Sequence, residues 1–242
     1  MKSILIKELN SFFSSPIAYL VIGVYLLING LFLWVFDGDF NILHAGFADL
    51  NNYFLLAPWI FIFLIPAITM RSFSDEINTG TLELLKTKPI TNWQLIFGKY
   101  AASLILVITA IVPTLIYIYS IYQLGNPVGN IELGSTFGSF IGLLFLVSTY
   151  TSIGIFASTI SKNQIVSFII AVFISFFFYY GFEALSSYNL FGNLDYTIQR
   201  FGMSAHFNSI SKGVIDTRDL IYFVTVTYFF LVLTKFRIQH EQ

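Results

Sequence analysis

The sequence predicts an all-α integral membrane protein with six transmembrane helices, and three observations carry that prediction. Of the 242 residues, 56% are hydrophobic and only 10% charged. A soluble globule averages about 25% charged residues, and one this poor in charge would expose large apolar patches. Six long runs are almost free of Lys, Arg, Asp and Glu, each near the length needed to cross a bilayer as a helix. The twelve Lys and Arg are distributed unevenly about those runs. Cysteine is absent, which excludes disulfides, thiolate metal sites and cysteine nucleophiles. The net charge of −1 gives no basis for a nucleic-acid partner.

Residues 1–15 place Leu5, Leu9, Phe12 and Phe13 on one helical stripe, with Lys2, Lys7, Glu8 and Asn10 off it. That pattern predicts an amphipathic helix lying in the membrane interface, with Lys7 and Glu8 on its polar face. The apolar run that follows is too long for a cleavable signal and is expected to stay as an anchor. Ser15 reads as an N-cap and Pro16 as the first helical residue. The first span covers about 16–36, with Trp34 as an interfacial anchor. The second covers about 53–70 and contains Pro58 and Pro66, which predict a kinked helix.

Residues 71–99, RSFSDEINTGTLELLKTKPITNWQLIFGK, form the longest polar segment before residue 183. It holds Arg71, Lys86, Lys88 and Lys99 with three carboxylates, Asp75, Glu76 and Glu83. Phe73, Ile77, Gly80 and Leu84 fall at helical spacing, and Ser72 and Asp75 are placed to cap a helix start. Gly80 either permits close approach of a partner or breaks the helix in two. Thr91 and Gln94 form a T-x-x-Q capping box flanked by Ile90 and Leu95 as a hydrophobic staple. Pro89 prevents a helix from running in from Glu83. The third helix therefore starts in water near Asn92 and spans about 100–123, with a bend at Pro113.

The fourth span, about 135–160, is rich in Gly, Ser and Thr, and Gly138 and Gly142 form a G-x-x-x-G pair. Small residues let helix backbones approach closely, so this span is the candidate for a buried helix. The fifth covers about 165–182. Residues 183–218 place Leu190, Leu194, Ile198 and Phe201 at helical spacing, which predicts one or two short amphipathic helices on the membrane surface. The sixth covers about 219–234, stopped by Lys235 and Arg237. With the N-terminus inside, nine Lys and Arg fall on the inner side and three (Arg200, Lys212, Arg218) on the outer. The positive-inside rule then puts both termini and the 71–99 segment in the cytoplasm.

No motif of catalysis appears. G-x-x-x-x-G-K-[ST], H-E-x-x-H and G-x-S-x-G are all absent, so the chain carries no nucleotide site of the P-loop type. His44, His206 and His240 are scattered and read as interfacial or solvent-exposed rather than as metal ligands. No span carries an ionisable residue well inside it, which argues against a proton- or sodium-coupled pump. Glu183, at the outer end of the fifth span, is expected at headgroup level, with an exit-side role as the sharper alternative.

Glu76, the run Gly80-Thr81-Leu82-Glu83-Leu84-Leu85, Pro89-Ile90, Leu95 and Gly98-Lys99 together resemble the cytoplasmic motif of ABC-2 type transporter permeases. The early KEL…FFSSPIAY and the late HFNSISKGVIDTRDLIYF (residues 206–223) resemble the gliding-motility branch of that family. The resemblance covers almost the whole chain. It implies an exporter-like half-transporter in the cytoplasmic (inner) membrane, with a coupling helix between spans two and three. Glu76, Gly80, Thr81, Glu83, Leu84, Leu85 and Pro89 would then engage a separate ATP-binding subunit. ATP would be bound there and no cofactor on this chain, and a second permease, identical or paralogous, would complete the transporter. A scaffold that recruits a soluble partner through 71–99 without transport is the alternative, and an intramembrane hydrolase lacks the paired side chains it would need.

Overall fold

The computed structural model describes residues 1–44, 46–188, 192–213 and 216–240, apart from the side chains of Lys86 and Asn193. The described residues are helical, without strands, and six helices are long and apolar enough to cross a membrane. In chain order the elements are α1 (Lys2–Phe13), α2 (Pro16–Val35), α3 (Asn51–Thr69), α4 (Arg71–Asn78), α5 (Thr81–Lys86) and α6 (Asn92–Leu124). There follow α7 (Leu133–Ala157), α8 (Gln164–Ser187), α9 (Asp195–Gln199), α10 (Met203–Ser211) and α11 (Thr217–His240). The spans are α2, α3, α6, α7, α8 and α11.

Helices α3 and α7 are the inner pair. In their apolar windows 72% of residues are buried, against 28% for α2 and 22% for α8. Lipid is as apolar as leucine, so what brings α3 and α7 together is close packing rather than water exclusion. Gly154 of α7 supplies the closeness, since a Cβ there would lie 2.0 Å from Thr69 Oγ1 of α3. Two threonine hydroxyls of α7 bond to their own helix, Thr149 to the Phe145 carbonyl and Thr151 to that of Val147. Thr149 also meets Thr227 of α11 at 3.0 Å. Each bond avoids leaving a polar atom bare in hydrocarbon.

The G-x-x-x-G pair does not receive another span. A Cβ on Gly138 would meet the Ile210 carbonyl oxygen at 3.2 Å, and one on Gly142 would meet Ile210 Cγ2 at 3.1 Å. Helix α10 thus seats itself in the end of the bundle, with Met203, Phe207 and Ile210 buried. That corrects the expectation of surface helices throughout 183–218. Around α9 the expectation fits better, since Leu194 and Phe201 are exposed; Leu190, the first member of that stripe, lies outside the described residues.

Pro58, Pro66 and Pro113 do not end the spans that hold them. Pro58 and Pro66 sit inside a continuous α3. Pro113 falls in a 3-10 turn, Val112–Leu115, within α6. That turn points Thr114 at Tyr53, whose hydroxyl also meets Tyr25, so 2.9 and 2.8 Å contacts tie α6, α3 and α2 together. At the chain's end Lys235 and Arg237 close the apolar run but not the helix, which continues to His240. The Lys235 ammonium rests over the Trp93 ring at 5.3 Å, a cation–π contact between the last helix and the start of α6.

Candidate functional site

The end of the bundle that carries both termini of the described chain also carries α4, α5 and the start of α6. No side chain caps α4, and only Met70 separates it from α3; Ser72 and Asp75 are not its caps, because the chain never leaves helical geometry there. Asp75 instead accepts a hydrogen bond from the Gln164 side chain at the start of α8. The break comes at Gly80, whose φ of +68° belongs to the left-handed region, a conformation glycine adopts without steric cost. The helix is therefore two, and the expected single stripe divides. Phe73 is buried and Ile77 packs beside it, with Ile4, Leu82, Leu95 and Ile96, in a second apolar cluster. Leu84, beyond the break, is 65% exposed.

Helix α6 begins as the sequence predicts. The Gln94 N–H donates to Thr91 Oγ1 and the Thr91 N–H donates to Gln94 Oε1, both at 3.2 Å, so two otherwise orphaned donors are satisfied. Seven residues into this helix lies Lys99, only 2% exposed. It is in phase with the buried face formed by Leu95, Ala102 and Leu106. Its ammonium donates to Glu76 Oε1 at 2.8 Å and to Glu8 Oε1 at 3.0 Å, and it sits 5.1 Å above the Phe73 ring. Lys7 stands at 3.6 Å from Glu76 and 3.8 Å from Glu8, with its own side chain 61% exposed. Two ammonium groups thus balance two carboxylates, and Glu76 Oε2 is left buried without a hydrogen-bond partner.

This cluster ties three helices at one point: α1 through Glu8, α4 through Glu76 and α6 through Lys99. Gly98 makes it possible, since a Cβ there would lie 2.8 Å from Ile4 Cγ2 of α1. Helix α1 accordingly turns the face bearing Ile4, Glu8 and Phe12 onto α6, with Ile4 and Phe12 buried. The Arg71 guanidinium lies over the Phe12 ring at 5.2 Å. Of Lys7 and Glu8, both read from the sequence as polar-face residues, Glu8 is turned inward to Lys99 while Lys7 stays largely exposed beside it.

The residues assigned to coupling fall into two groups. Gly80, Thr81, Glu83, Leu84 and Pro89 form an exposed surface on and beside α5, with Leu85 half-buried at its edge. Glu76 lies away from that surface, its side chain 12% exposed, facing Lys99. Glu183 is at the opposite end, accepting a 2.8 Å hydrogen bond from Ser204. His206 is also there and, contrary to expectation, is enclosed: its side chain is 12% exposed. Its Nδ1 meets Asp219 Oδ1 at 2.7 Å, its Nε2 meets the Arg200 carbonyl at 2.8 Å, and its ring stacks on Tyr222. Among the described residues no group of His, Asp and Glu could hold a metal ion.

A family model described as ABC-2 family transporter protein matches residues 36–235. No curated protein matches the chain.

Proposed function

Since the chain belongs to the ABC-2 family of transporter proteins, and is thereby a membrane permease subunit of an ABC transporter, we propose that α5 and its flanks dock a separate ATP-binding subunit. The observation that carries this reading is the contrast across Gly80. On one side α4 is fixed to α1 and α6 through Lys99. On the other α5 presents Glu83 and an exposed Leu84 outward. A short element free on one face and fastened at its root to spans can pass rigid-body motion into them. Glu83 and Leu84 are the contacts to the partner, Gly80 sets the direction of α5, and Glu76 transmits rather than touches.

In this reading ATP is bound and hydrolysed on the partner, and the present chain exports a substrate from the cytoplasmic membrane with both termini inside. A second permease, identical or paralogous, completes the path, and α2 and α8 offer the outward apolar faces for it or for lipid. The resemblance of residues 7–19 and 206–223 to the gliding-motility branch supports motility as the setting.

The test is co-purification of the tagged full chain in mild detergent, with identification of bound proteins and an ATPase assay. A stoichiometric P-loop subunit is expected, lost in the Glu83→Gln/Leu84→Asp double variant and retained in Glu76→Gln. Recovery of the chain alone, or with a protein that has no ATPase activity, would overturn the reading in favour of a recruiting scaffold.

A further inference from the structure

The end of the bundle opposite α5 holds a cleft of about 560 Å³ between α9, α10 and the start of α11. Arg200, Lys212 and Arg218 all line it. These are the three cations that the inside-outside count assigns to the outer side. Among the described residues none of the three forms an ion pair with a carboxylate. Arg200 lies over the Tyr196 ring at 5.6 Å, and Tyr196 and Asn208 also reach the cleft.

Two carboxylates, Asp216 and Asp219, face the same space. Asp219 Oδ1 is engaged by His206 Nδ1 at 2.7 Å, and Asp216 Oδ1 accepts the Arg218 backbone N–H. Three cations against two carboxylates leave the cleft with a net positive charge.

Beside the cleft the chain exposes Leu194, Tyr196 and Phe201, all more than half accessible. Apolar and aromatic side chains next to unpaired cations, where a span begins, fit a group that is anionic at its head and apolar behind. We propose that this cleft binds the phosphate of an anionic amphiphile at the membrane surface. Arg200 and Arg218 offer paired N–H donors to its oxygens, Lys212 a point charge, and the apolar rim holds the chain. This site is independent of the α5 docking surface and stands whichever partner α5 takes.

The experiment is native mass spectrometry of the full chain, equilibrated with phosphatidylglycerol and phosphatidylcholine of matched acyl chains, and separately with inorganic phosphate. Phosphatidylglycerol is expected to be retained preferentially, and each of Arg200→Gln, Lys212→Gln and Arg218→Gln to weaken retention about fivefold. Arg218→Lys keeps most of it, and Lys2→Gln and Lys162→Gln, elsewhere on the surface, leave it unchanged. Elution of every variant at the parent volume in size-exclusion chromatography establishes that the fold is kept. Equal retention of the two lipids, equal losses from the control variants, or inorganic phosphate binding as tightly as phosphatidylglycerol would each overturn the proposal.

Discussion

Removing the charge of Lys99 should release α1 from the bundle before it unfolds the bundle. Lys99→Met keeps the length of the side chain and its apolar packing while leaving Glu8 and Glu76, 15% and 12% exposed, without their central cation. Breaking an enclosed ion pair by removing one partner costs about 3–5 kcal/mol, because a charge remains uncompensated. Lys7, largely in solvent, can offset about 1 kcal/mol at most. A net loss of roughly 2–4 kcal/mol, at tenfold per 1.4 kcal/mol, corresponds to a fall of about thirtyfold to several-hundredfold in hydrogen-exchange protection of α1. Protection within α3 should change little, since its buried apolar side chains lie in the other apolar cluster. Adding Glu8→Gln and Glu76→Gln to Lys99→Met removes the stranded charges and should restore most of the α1 protection. The measurement is amide exchange on the full chain in nanodiscs. If Lys99→Met left α1 as protected as in the parent, or if the triple variant exchanged as fast as the single one, the ionic account of this junction would be wrong.

Other consequences can be checked on the same preparation. Gly154→Ala should lower the thermal midpoint, with overpacking against Thr69 costing about 1–3 kcal/mol, whereas Gly134→Ala in the same helix, with nothing within 4 Å of its Cβ, should not lower it. Gly80→Ala meets no neighbour either, so it adds only left-handed backbone strain of roughly 1–2 kcal/mol, which α5 should relieve by re-aiming; partner ATPase activity should then uncouple from transport while the midpoint barely moves. Thr91→Ala should cost about 1 kcal/mol as a lost cap, and Gln94→Ala should add less on top of it than it costs alone, since both belong to one box. Normal coupling in Gly80→Ala, or additive costs in the Thr91 and Gln94 pair, would contradict these assignments.

Much of the proposed docking surface is legible in the sequence because its signals are local. The T-x-x-Q box closes within four residues, and Gly80 is the residue type that a left-handed break requires. Leu84 was visible as an apolar residue in a polar segment, but that Phe73 and Leu84 face opposite ways depended on where the helix broke. Lys99 went unrecognised as a buried ion because its carboxylate partners lie 91 and 23 residues away, although its helical phase with Leu95, Ala102 and Leu106 was a signal available in the sequence. His206 was misread for the same reason: its enclosure depends on Asp219 and Tyr222 arriving from the last span.

The sequence by itself determined the number of spans, the approximate ends of the helices and the family, because apolar run length, caps and prolines act through the chain's own next few residues. Only the tertiary structure decided which helix the Gly138–Gly142 face receives, which carboxylates Lys99 joins, and that Arg200, Lys212 and Arg218 share one cleft. Those are pairings between separate segments, and in an apolar bundle they are set by shape and by where a polar atom can find a partner. Neither leaves a periodic trace in the order of residues.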